Sequence, residues 1–193
     1  MVRKMKSVAE LGDELVAIYE AKGQTVSQNL MLGISPSEYA KAIGFEIEQI
    51  PSSVLKLYQW RNGCANEGAE ALFLFRDNCF IRAERGKEEL NMIRNIYGAN
   101  SEDRFDLTRV IPIAAFEGSV FAVVTGKHNL GSRFEHPVVS IFEGIDLFFG
   151  SIESMLQTCI AWVGHPEWEP FNELPRDEEL KIWRRLNPGV DLR

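Results

Sequence analysis

Arg109-Val110-Ile111-Pro112-Ile113, Val120-Phe121-Ala122-Val123-Val124 and Pro137-Val138-Val139-Ser140-Ile141-Phe142 are three short β-branched and aromatic runs in the second half of the chain. Glu117-Gly118-Ser119 parts the first two. Glu143-Gly144-Ile145-Asp146 follows the third and leads into Leu147-Phe148-Phe149. Apolar runs of this length between Gly- and Asp-bearing turns predict an antiparallel meander over Arg109 to Phe149. Val120 to Val124 contains no polar residue, so alternation selects no wet face. Such a run suits a central strand covered on both sides.

Helices are expected around this sheet. Ser7-Val8-Ala9-Glu10 is a capping box, and Val8, Leu11, Leu15, Ile18 and Tyr19 follow at helical spacing up to Gly23. Ser35-Pro36-Ser37-Glu38 repeats the signal, with proline at the first helical position and Gly44 as the stop. Phe45 to Ile50 reads as extended, because Pro51 disfavours the α region before it. A helix from about Pro51 to Arg61 is predicted to end at Asn62-Gly63, both tolerant of positive φ. Leu72 to Phe75 and Cys79 to Ile81 read as a hairpin, Gly86 to Tyr97 as a helix, and Ala99 to Asp106 as an exposed charged segment. Ser151 can cap a helix carrying Ile152, Met155, Leu156, Cys159, Ile160 and Val163. The fold class is therefore α+β, with helices packed against a largely antiparallel sheet. Beyond Gly164 the character changes: Pro166, Pro170 and Pro175 punctuate a segment holding Trp168 and Phe171, and Asp177 to Leu186 reads as a last helix. The division expected is 1–34 for the first helix and its connection, 35–163 for the α+β domain, and 164–193 for an extension. That extension would pack on the domain or on a neighbouring subunit, which leaves a homo-oligomer open.

With 193 residues, 45% hydrophobic and 25% charged, the chain has enough apolar surface for one core without disulfide or metal staples. No apolar run reaches the roughly 20 residues of a membrane span, and acidic residues follow the basic amino terminus where a signal peptide would be apolar. A cytoplasmic location is the expectation, with no membrane contact. A net charge of −7 argues against binding nucleic acid through phosphate neutralisation and suits a basic partner. Cys64, Cys79 and Cys159 form no CxxC pair and read as thiols in a reducing compartment.

Chemistry-bearing motifs are missing from the sequence. His128, His136 and His165 stand alone, without metal-ligand spacing. There is no GxSxG elbow and no GxxxxGK[ST] loop; Gly126 and Gly131 flank what resembles a flexible turn. No cofactor or metal is implied. Glu117, Glu143 and Asp146 all fall in sheet turns, where turn preference and solvation account for carboxylates as readily as acid–base work does. Trp60 admits two readings, a packed core ring or a contact anchor of the kind that dominates interface energies. An enzyme assembled from dispersed residues stays open as a further class.

The order of short motifs carries a resemblance. Ile50-Pro51, Leu55, Leu57-Tyr58 and Asn62-Gly63 come first, then Leu72-Phe73 and Val110-Ile111-Pro112-Ile113-Ala114. The strand Val120 to Val124, His136-Pro137-Val138 and Ser151-Ile152 with Met155-Leu156 complete it. This order resembles the SUKH superfamily, which includes cell-wall assembly regulators and many bacterial toxin-immunity proteins, and it covers residues 35–163. The resemblance implies a non-enzymatic protein-binding domain, either an immunity protein that covers a toxin's working surface or a regulatory scaffold. It also implies that Trp60, Asn62, Gly63, Glu67, Glu70 and Glu117 border the binding face. The family offers no catalytic motif to carry over.

Overall fold

The computed structural model describes residues 5–68, 70–97, 106–126, 128, 134–170 and 174–190. Most of the charged segment after Tyr97, most of the turn between Gly126 and Gly131, and Phe171 lie outside them.

Among the described residues, six α-helices and two antiparallel sheets make up the α+β fold. Helix α1 (Val8–Ala21) starts at the Ser7 capping box, where Ser7 and Glu10 satisfy each other's backbone N–H. It ends in a Schellman-type turn: the Gln24 N–H reaches back to the Tyr19 carbonyl across Gly23. The connection that follows forms a 3₁₀ turn at Val26–Asn29 and strand β1 (Leu30–Leu32). Helix α2 (Pro36–Ile43) has the second capping box and a left-handed Gly44 stop. Residues 45–50 differ from the sequence reading, because Ile47–Gln49 is a 3₁₀ turn. Pro51 constrains only the residue before it: Ile50 is extended, at φ −94° and ψ 123°, and Glu46 is extended on the other side of the turn.

Helix α3 (Ser52–Trp60) also ends differently. Arg61 already has extended backbone, and β2 (Arg61–Cys64) contains Asn62 and Gly63, which the sequence reading assigned to a helix stop. β1 and β2 pair as a separate two-stranded sheet. The predicted hairpin around Arg76-Asp77-Asn78 is reduced to a bridge between Phe73 and Cys79 leading into β3 (Cys79–Phe80). Helix α4 (Ala83–Tyr97) starts three residues before Gly86.

The meander is present in full. Strands β4 (Val110–Phe116), β5 (Ser119–Val124), β6 (Val138–Ile141) and β7 (Ile145–Phe149) follow β3 in the order β3-β4-β5-β6-β7, all antiparallel. Val120 to Val124 are all buried, so β5 is covered on both faces. Each such Val or Phe contributes about 1.5–3 kcal/mol. Two bulges shape the sheet. In β4 the register skips Ile113, beside Pro112, whose missing N–H a regular central ladder would not accommodate. In β7 it skips Phe148.

Helix α5 (Ile152–Val163) lies against α1, and α6 (Arg176–Leu186) lies against α5. The segment beyond Gly164 is joined to its own domain. Trp168, Leu174, Ile182, Trp183 and Val190 are buried. The Trp183 indole N–H donates to the Phe148 carbonyl at the β7 bulge (3.0 Å), and the Gly150 N–H donates to Asn187 (3.4 Å). The extension thus occupies polar groups at the margin of an edge strand, where open ladders invite pairing with other chains. No helix among the described residues is long and apolar enough to cross a membrane.

Candidate functional site

Where α1, the loop after β2 and the start of the extension meet, the surface opens into a cleft of about 430 Å³. Its walls are aromatic: Tyr19 from α1, Phe73 from the bridge, Phe116 at the end of β4, Trp162 from α5 and Trp168 from the extension. Glu67, Asp77 and Glu169 bring carboxylates to it, and Arg76 brings a guanidinium.

These walls are pinned. The Tyr19 hydroxyl donates to the Phe73 carbonyl at 3.3 Å, and its ring meets Trp168 edge-on at 5.5 Å. Trp168 also packs edge-on against Trp162, at 5.9 Å. Lys22 Nζ donates to the carbonyls of His165 and Trp168, tying the extension's first turn to the end of α1. Burial holds the Tyr19 phenol well above its ordinary pKa, so it stays a neutral donor. The turn below is strained: Phe75 and Arg76 both have positive φ, 84° and 50°. Bulky side chains rarely adopt that region, at a cost of about 1–3 kcal/mol each. Packing offsets it, since the Phe75 ring lies among Phe148, Phe149 and Trp162. Arg76 forms a forked pair with Glu179 of α6 (2.6 and 3.4 Å), which is only 3% exposed and is also held by Arg176. The Arg76 guanidinium is therefore engaged within the fold, sharing the Glu179 carboxylate with Arg176.

The sequence-predicted residues divide into two groups. Trp60 is buried between α1 and α3, its ring over Gly12, where a Cβ would lie 2.7 Å from the indole. Its N–H donates to Asp13 at 2.7 Å. Asn62 is buried too, and its Oδ1 accepts from the Ala83 N–H at 3.1 Å, capping α4 from a strand. Gly63, at φ 70°, sits so close to Ile81 that a Cβ would lie 2.3 Å from its carbonyl carbon. These three residues turn inward. Glu67, Glu70 and Glu117 turn outward. Glu67 lines the cleft, Glu70 accepts from Thr25 next to the lining residue Gln24 (3.4 Å), and Glu117 directly follows Phe116 in a tight turn at positive φ. Glu67 also meets the Arg85 guanidinium at 3.6 Å, which in turn holds the buried Glu89 at 2.7 Å.

The contributors that escape the sequence reading include Tyr19, Phe73, Phe116, Asn29, Asp77, Trp162, Trp168 and Glu169. The first three read as core or strand positions. Asn29 lies in a connection without periodicity. Its side chain exchanges two hydrogen bonds with the Asn66 backbone (2.7 and 3.0 Å), fixing the loop that presents Glu67. The cysteines take no part. All three are buried and free, and burial pushes Cys64 up to about 11 and Cys79 up to about 12, so neither is a thiolate at neutral pH. Among the described residues, no group of three His, Cys, Asp or Glu could hold a metal ion.

Chemically, this is a rigid aromatic recess with an acidic rim, suited to gripping a side chain or short segment. No family model and no curated protein matches the chain.

Proposed function

We propose that this chain is a SUKH-type protein-binding domain, an immunity protein that neutralises a basic protein toxin by stoichiometric association and makes or breaks no bond in doing so. The observation that carries this reading is the cleft itself. Aromatic rings in a pre-ordered pocket are what interfaces use as energetic anchors, because little freedom is lost on docking. The carboxylates of Glu67, Asp77 and Glu169 at the same place, on a chain of net charge −7, would steer and orient a cationic partner. The alternative of a regulatory scaffold assembling through residues 164–193 has less support, since the apolar residues of that segment are used against its own domain.

The test is capture of the partner from the native cells, followed by reconstitution of the purified pair. A one-to-one complex that suppresses the partner's activity and weakens as salt rises is the expected result. Turnover of a compound by the pure protein, abolished by one point substitution, overturns it.

A further inference from the structure

We infer that the cleft is a receptor for an arginine side chain presented by the partner, with the guanidinium lying against the aromatic wall and facing the carboxylates of Asp77 and Glu169. The inference rests on the binding function proposed above and specifies its ligand.

Two independent features converge on this ligand. The first is charge. Asp77 and Glu169 are exposed and make no ion pair among the described residues, whereas Arg76, the cation among the described lining residues, is already bound to Glu179. An occupant therefore meets uncompensated negative charge, which repels phosphates and acidic segments. The second is the wall. Phe116, Trp162 and Trp168 offer ring surface, and a planar, weakly hydrated guanidinium stacks on such rings while forking to carboxylates, which an ammonium does less well. The Trp162 indole N–H, itself sealed from solvent, takes no part in this recognition.

The experiment is a titration of the full chain with capped tripeptides, Gly-Arg-Gly, Gly-Lys-Gly and Gly-Glu-Gly, read on the four tryptophan indole N–H signals by NMR. The indoles of Trp60 and Trp183, already bonded to Asp13 and to the Phe148 carbonyl, are internal controls. Saturable shifts of Trp162 and Trp168 with the arginine peptide are expected, with the lysine peptide roughly threefold weaker and the glutamate peptide inert. The double variant D77N/E169Q changes only exposed side chains and should weaken the arginine peptide by roughly fivefold to tenfold. Equal response to all three peptides, or shifts confined to Trp60 and Trp183, overturns the inference. So does a partner complex that D77N/E169Q leaves unweakened while the Trp162 signal stays in place, although the binding function then stands. Selective arginine binding in a protein for which no partner is found upholds the receptor and overturns only the immunity role.

Discussion

Trp60 and Trp162 are almost equally buried, 8% and 5% exposed, and their surroundings are opposite. Trp60 closes over Gly12, stacks near Phe80 and gives its N–H to Asp13, so nothing in it is left to offer. Trp162 lines an open cleft, and its buried N–H meets no acceptor among the described residues. Exposure alone does not separate a structural indole from a recognition indole. The surroundings do, because one ring is closed over by Gly12 and Asp13 while the other borders a cleft.

The contrast between the sealed region around Trp60 and the open one around Trp162 can be tested by breaking each. Gly63→Ala should be the most damaging change, about 3 kcal/mol or more, since it combines a disfavoured φ with a collision against the Ile81 backbone; denaturant unfolding reads it. Trp60→Phe follows at about 2–3 kcal/mol, from lost ring volume and the lost Asp13 bond. Trp162→Phe loses similar volume but also removes an unsatisfied donor, so its cost should be smaller, about 1 kcal/mol. Equal costs for the two indoles would erase the distinction. Asn62→Ala should cost about 1 kcal/mol through the lost cap of α4, with hydrogen exchange rising first at the N-terminus of that helix.

The smallest effect is one of pH. Desolvation raises the pKa of Glu89, although the nearby Arg85 opposes it. The native state then holds this proton to higher pH than the unfolded chain, so this site's contribution falls as pH rises through and above the ordinary glutamate range. Glu89→Gln removes that fall. Its Tm relative to the parent should improve by a few degrees at most between about pH 4 and pH 7. A difference flat in pH would show that Arg85 cancels the desolvation.

Much of this architecture is legible in the residues. Both early capping boxes lie where Ser7 and Ser35 precede glutamates by three positions, and the uninterrupted apolar run of β5 lies where the sheet is deepest. These signals are local: each needs only a few neighbouring side chains and the backbone's own geometry. The errors are also physical. Asn62-Gly63 has the composition of a helix stop, but the positive φ of Gly63 serves a strand that must pass against Ile81, a residue distant in sequence. The cleft is harder still, because its walls come from positions as far apart as Tyr19 and Trp168. Each of these has an ordinary core or loop reading by itself.

By itself, then, the sequence determined the α+β class, the meander, the principal helices and the acidic character, because periodicity, caps and charge are properties of contiguous residues. Only the tertiary structure decided which tryptophan is sealed and which faces a recess, that Arg76 is consumed by Glu179, and that residues beyond Gly164 build a wall of their own domain. Those outcomes depend on which distant groups meet, and pairing across long separations is set by packing the whole core at once, not by any local preference.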